Sequence, residues 1–234
     1  TITGLGCHAL TAITAVTAQS STGVSGVHEV PAEFIAMQIE IVVRDVIPDA
    51  VKIGMLSSAS AIETVAGIIK KYQFKNIVLD PVMKASTGCD LMHASSIKTL
   101  RETLLPLVDV ITPNLLEAEI LAGERVTGPA EMEQAARALK RRGPHVVITG
   151  GHLEGNCMDI LYEGKGFHRF VGERIFTENT HGTGCVFSSS LACFLAMRNN
   201  IIKATGLAHE FTRRAIENGY SCGKGAGVVS PLKH

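Results

Sequence analysis

Neither sign of charge dominates this 234-residue sequence: Lys and Arg together number 22, and so do Asp and Glu. Basic residues gather nowhere into a long run; "KRR" at 140–142 and "RR" at 213–214 read as solvated helix faces. Such a balance argues against nucleic acid as a partner. Apolar runs are short and interrupted by polar residues, so no membrane span is expected. The first residues, opening at Thr1 without a methionine, do not form a signal peptide. Six cysteines (Cys7, Cys89, Cys157, Cys185, Cys193 and Cys222) include no C-x-x-C pair, which speaks against a zinc site. With no secretion signal they are expected to stay reduced thiols in a cytoplasmic protein. Linkers, internal repeats and low-complexity stretches are missing too, and the 46% hydrophobic content supports one sizeable core. A single domain over residues 1–234 is expected.

What is present is a rhythm. Short apolar runs of strand length recur at 9–17 ("ALTAITAVT"), 50–55 ("AVKIGM"), 76–80 ("NIVLD"), 109–112 ("DVIT") and 145–149 ("HVVIT"). Most are continuous rather than alternating, as in strands covered on both faces. Helix patterns separate them. Residues 31–46 open with Pro31 at a first helical position and repeat Ile35, Ile39, Val42, Val43 and Val46. Residues 57–72 begin with serines suited to capping and place Ile62, Val65, Ile69 and Tyr72 on one face. Stretches 95–105 and 129–143 follow the same rule, the second stopped by Gly143-Pro144. Alternation of this kind predicts an α/β fold: a three-layer αβα sandwich around a mostly parallel central sheet. The run 158–172 departs from it and reads as an antiparallel hairpin around Gly164-Lys165-Gly166, followed by helices over about 183–198 and 201–221.

Ligands of open α/β sheets bind beyond the carboxyl ends of the strands. In this sequence those ends are polar or tight: Gly54-Met55, Asp80-Pro81, Pro113-Asn114 with Glu117 three residues on, and Gly150-Gly151-His152. Each has a plain structural reading, as a turn starter, a helix cap or a chain reversal. Two carboxylates and a glycine turn on one edge nevertheless suit a metal and a phosphate chain. The segment "NTHGTGC" (179–185) adds glycines beside a helix start, where the amides of Thr183, Gly184 and Cys185 are candidate anion donors. No G-x-x-x-x-G-K-[ST] occurs, which excludes a P-loop. Cys185 in the first helical turn is expected to have a lowered thiol pKa and to serve as a proton acceptor, a buried structural cysteine being the alternative.

The motifs "TAITAVTAQ", "KIGML", "LDPVM", "ITPNLLEAEIL", "GGH" and "NTHGTGC" occur in an order that resembles the hydroxymethylpyrimidine (phosphate) kinases of thiamine biosynthesis, members of the ribokinase-like superfamily. The resemblance spans essentially the whole chain, and its cysteine-bearing glycine motif is specific, since most ribokinase relatives carry an aspartate there. It implies ATP as phosphate donor, Mg²⁺ as cofactor, a small-molecule pyrimidine substrate and a homodimer. By position, Gln19 hydrogen-bonds the aminopyrimidine, while Met55 and Val82 pack on its ring. Asp80 and Glu117 hold Mg²⁺, directly or through water. Asn114, Thr149 and Gly150 face the nucleotide. Gly182, Thr183 and Gly184 form the anion hole, and Cys185 activates the hydroxymethyl oxygen. Two departures stand out. The family opens with a strand and a Gly-Ser-Gly-rich loop whose aspartate contacts the pyrimidine, and this chain starts after them. Thr149 stands where many members have a lysine, and a hydroxyl supplies no charge to phosphate. A pyridoxal/pyridoxine kinase on the same scaffold is the nearest alternative. A non-catalytic pyrimidine-binding module is another, favoured by both departures.

Overall fold

The computed structural model describes residues 1–85, 87–153 and 155–232. After a 3-10 turn at Thr3–Leu5, an antiparallel hairpin forms from β1 (Ala15–Ser20) and β2 (Gly23–Glu29). Then come α1 (Ala32–Val43), β3 (Val51–Ile53), α2 (Ala59–Tyr72), β4 (Ile77–Leu79), α3 (Ser96–Thr99) and β5 (Val110–Ile111). The chain continues through α4 (Leu115–Ala122), α5 (Pro129–Lys140), β6 (His145–Ile148), β7 (Cys157–Tyr162), β8 (Phe167–Gly172), α6 (Thr183–Ala196) and α7 (Ile201–Glu217).

The main sheet has six strands in sequence order, β3-β4-β5-β6-β7-β8. The first four run parallel, and the β7–β8 hairpin closes the sheet antiparallel, as expected for 158–172. Alternate side chains of each parallel strand serve two cores, which is why these strands read as unbroken apolar runs. Ile77, Leu79, Ile111, Val146 and Ile148 face a core built with residues of α1, α2, α4 and α5. Val78, Val110 and Val147 face the opposite core, with Phe187 and Leu191 of α6 and Ala204 and Ala208 of α7. Three layers result, as the alternation predicts.

Three expectations need correction. The run 9–17 is not a strand of the main sheet: residues 9–14 have no strand structure, and β1 starts at Ala15 in the separate hairpin. A strand needs a ladder partner for its backbone groups. At Ile13 those groups are taken instead by one side-chain amide, with Ile13 N–H donating to Gln38 Oε1 (2.9 Å) and Gln38 Nε2 donating to the Ile13 carbonyl (2.9 Å). The helix expected over 95–105 is regular only through Thr99, then loosens into a π turn over Leu100–Leu104 and a 3-10 turn containing Pro106. A proline there has no N–H to continue an α-helical ladder. Likewise α1 ends at Val43, so Val46 lies beyond it and is exposed.

Candidate active site

Parallel pairing steps the strand ends into one row. Asp80 N–H donates to the Ile53 carbonyl (2.9 Å), Thr112 N–H to that of Leu79 (2.9 Å), and Thr149 N–H to that of Pro113 (3.0 Å). The chain at and just past the ends of β3, β4, β5 and β6 is thereby tied together across the sheet. Thr14 Oγ1 donates to the Met55 carbonyl (2.7 Å), joining the root of the β1–β2 hairpin to the same row. Gln19 stands exposed on β1 at a register irregularity between Ala18 and Gln19, the kind of bulge that re-aims a side chain. Val82 and Met55 are half-buried beside the row.

Asn114 and Glu117 form a reciprocal cap on α4. Asn114 Oδ1 accepts from Glu117 N–H (2.9 Å), and Glu117 Oε2 accepts from Asn114 N–H (3.0 Å). The capping alternative is therefore true of both residues, and it fixes the Glu117 carboxylate at the sheet edge, where Oε1 also accepts from Met83 N–H (3.4 Å). Burial, with a smaller repulsion from Asp80, pushes the Glu117 pKa up to about 7 despite these donors.

Asp80 is also buried. Its Oδ2 accepts from Ser188 Oγ (2.9 Å) and lies 3.3 Å from Lys52 Nζ. Gly54 leaves room for that ammonium, since a Cβ there would sit 2.7 Å from Nζ. Lys52 and Ser188 were not singled out in the sequence. A lysine inside an otherwise apolar strand was the available signal, because a charge between two cores needs a partner.

Gly182 is the N-cap of α6, and its φ of 90° favours glycine. Among the described residues, the N–H groups of Gly184 and Cys185 have no hydrogen-bond acceptor, and a Cβ on Gly184 would meet nothing within 4 Å. Thr183 is a correction. Its N–H donates to the Thr180 carbonyl (3.3 Å), as does its Oγ1 (2.7 Å), so of the three expected amides only those of Gly184 and Cys185 remain free. These face open space at a helix N-terminus, where an anion is favoured.

Cys185 needs a second correction. Its thiol is hydrogen-bonded to Asp80, and its pKa is raised rather than lowered. Although the residue is open to solvent, the protein packed about its sulfur disfavours the thiolate. Asp80 and Glu117 add to the rise, and Lys52 opposes it. The expectation weighed the helix terminus and omitted two carboxylates folded against it.

Gly150 is a third. Its N–H donates to Asp159 Oδ1 (3.0 Å), inside the protein, so it is not a free donor to a phosphate. Thr149 lies beside Asn114 in a parallel bridge, half-buried, with its hydroxyl at the sheet edge.

Two buried carboxylates stand close enough for Asp80 to add to the rise in the Glu117 pKa, with Lys52 lying against Asp80. Such a pair suits a hard divalent cation, which commonly takes one or two carboxylates and completes its shell with phosphate and water oxygens. Among the described residues no group of three or more His, Cys, Asp or Glu gathers to hold a metal unaided. Two free amides, a carboxylate pair and a nearby thiol at the carboxyl edge of the sheet are an arrangement that suits phosphoryl transfer.

Residues 1–230 match the family model described as phosphomethylpyrimidine kinase. The hydroxymethylpyrimidine/phosphomethylpyrimidine kinase of Bacillus subtilis is 41% identical over 233 residues, covering 98% of this chain and 86% of that protein. The thiamine biosynthesis bifunctional protein ThiED of Geobacter sulfurreducens is 42% identical over 234 residues, 99% of this chain; the chain spans about half (48%) of that longer protein. Among solved structures, the ADP complex of Bacillus subtilis pyridoxal kinase superposes with a TM-score of 0.91 at 32% identity, covering 98% of this chain and 88% of that one. The chain belongs to the phosphomethylpyrimidine kinase family and has its ribokinase-like fold.

Proposed function

We propose that the protein transfers the γ-phosphoryl group of ATP to 4-amino-5-hydroxymethyl-2-methylpyrimidine and then to its monophosphate. The observation that carries the reading is the pair of free amides at Gly184 and Cys185 set against the Asp80–Glu117 carboxylates. Family membership supports the substrate class. Phosphoryl transfer asks mainly for positioning and charge neutralisation, and the residues divide that work. The Gly184 and Cys185 amides hold the phosphoryl oxygens as charge grows on them. Asp80 and Glu117 would hold Mg²⁺, which neutralises phosphate charge when bound. Asn114 and Thr149 face the nucleotide, Gln19 reads the aminopyrimidine edge, and Met55 and Val82 flank its ring. Cys185 would accept the hydroxyl proton as its thiolate, its own proton having first passed to the solvent that its open face reaches. Neutralising the two carboxylates beside it weakens two of the causes that raise its pKa.

Pyridoxal is the second reading, favoured by the close superposition on a pyridoxal kinase. Initial rates of ADP release with hydroxymethylpyrimidine, its phosphate and pyridoxal decide between them. The proposal expects the pyrimidine to be the best acceptor, with a phosphate added at its hydroxymethyl group by mass and ³¹P NMR. Faster turnover of pyridoxal, or ligand binding without turnover, would overturn it.

We further infer a homodimer in the cytoplasm. Phe34, Met37 and Ile41, spaced three and four residues apart, form an outward apolar stripe on α1, opposite buried Ile35 and Val43. A helix apolar on both faces calls for cover. All six cysteines are free thiols, as a reducing compartment requires. Sedimentation should give a dimer that Ile41→Glu dissociates; a monomeric parent would refute the assignment. Among the described residues no helix is long and apolar enough to cross a membrane.

A further inference from the structure

Behind the Gly150-Gly151 turn lies a buried polar pair that the proposed mechanism does not use. Asp159 of β7 is buried, and its two oxygens are divided between two tasks. Oδ1 accepts from Gly150 N–H (3.0 Å), while Oδ2 meets His209 Nδ1 of α7 at 2.7 Å. A carboxylate accepts, so Nδ1 carries the proton and donates. In the neutral ring Nε2 is then an acceptor, and among the described residues it is buried with no partner. An unpaired lone pair is tolerated better there than an unpaired N–H.

The turn itself is tight on one side and open on the other. A Cβ on Gly150 would lie 2.0 Å from the Met158 carbonyl oxygen, so the residue is pressed against β7 with no space for a side chain. At Gly151 a Cβ would meet nothing within 4 Å, and among the described residues its N–H has no acceptor. From the far side, one guanidinium closes the segment: Arg174 Nη1 donates to the Gly151 carbonyl (3.0 Å), Nε to that of Gly155 (3.0 Å), and Nη2 to that of Leu153.

We propose that Asp159 and His209 are positioning residues for the nucleotide: they anchor Gly150 so that the next amide, Gly151 N–H, is presented to a phosphate oxygen of ATP. The two glycines of the turn thus have separate duties, one held and one offered. This chain has Thr149 rather than a cation at the turn, so a backbone donor set in advance matters more to the phosphate grip. The inference rests on the kinase reading and deepens its nucleotide half.

Calorimetric titration with Mg²⁺-ADP, and separately with hydroxymethylpyrimidine, tests it in the parent and three variants. Asp159→Leu removes the anchor and should weaken ADP about 10- to 100-fold, the span of one lost buried charge-assisted hydrogen bond. Hydroxymethylpyrimidine affinity should stay within about 2-fold, because that ligand contacts none of these groups. Asp159→Asn keeps an acceptor for Gly150 and should recover most of the ADP affinity. His209→Phe leaves the carboxylate in place with one tether lost and should weaken ADP about 3- to 10-fold. It decides the matter if Asp159→Leu does not fold. Parent-like ADP binding in the folded variants, or equal loss for both ligands, overturns the inference alone. A parent that binds no ADP overturns the kinase reading and this inference with it.

Discussion

Single side chains in this site are governed by burial more than by their intrinsic chemistry. Glu117 accepts two backbone N–H groups, yet its pKa rises to about 7 because removal from water outweighs those bonds. The folded protein therefore binds a proton at Glu117 between pH 4.5 and 7 that the unfolded chain has released. Stability must fall as pH rises across that window and level off above it, by on the order of 3 kcal/mol for such a displacement. Glu117→Gln should remove this slope. Urea unfolding from pH 4.5 to 8 without Mg²⁺ reads it directly, and parallel profiles for parent and variant would show that Glu117 ionises normally. Burial likewise pushes the Cys185 thiol up, with Asp80 and Glu117 adding to the rise and Lys52 opposing it.

Among the elements, the β1–β2 hairpin is the one that stands apart. It is tied down at its root by Thr14 to the Met55 carbonyl, at its far strand by Glu29 to His93 Nε2 (3.0 Å), and at its turn by Ser21 Oγ, which accepts from Gly225 N–H (3.1 Å). Gln19 sits between these anchors. An amide offers one donor and one acceptor, which matches an amino group beside a ring nitrogen. Gln19→Leu should weaken hydroxymethylpyrimidine binding by roughly 1–3 kcal/mol while leaving Mg²⁺-ADP binding unchanged, because the hairpin lies outside the main sheet. Calorimetry giving unaltered pyrimidine affinity would remove Gln19 from the substrate site.

The parallel strands were legible because burial on both faces writes them as apolar runs. The hairpin was not: "GVSGVHE" in β2 carries no clear apolar face, and β1 is defined by its pairing rather than by its own pattern. Asn114 and Glu117 were legible as both cap and site, since a three-residue spacing carries both meanings. Lys52 and Asp159 each left a faint mark, one charge within an apolar strand. Their partners left none, because Ser188 reaches Asp80 across 108 residues and His209 reaches Asp159 across 50.

Across the whole molecule, one sheet edge collects groups from every layer: β3, β4 and β6 ends, the α4 cap, the start of α6 and the outlying hairpin. The two cores hold the edge from opposite sides, α1 to α5 on one and α6 with α7 on the other. Because α6 packs beneath β4 through Ser188 and Asp80, its N-terminal amides are fixed relative to the carboxylates before any ligand arrives. Such preorganisation is the main catalytic resource of a phosphotransferase. The claim is tested most directly by a crystal structure of the protein with Mg²⁺, a non-hydrolysable ATP analogue and hydroxymethylpyrimidine. The predicted result places γ-phosphate oxygens within hydrogen-bond distance of the Gly184 and Cys185 N–H groups, with the substrate hydroxyl between that phosphate and the Cys185 sulfur. A terminal phosphate bound away from the start of α6 would contradict the account.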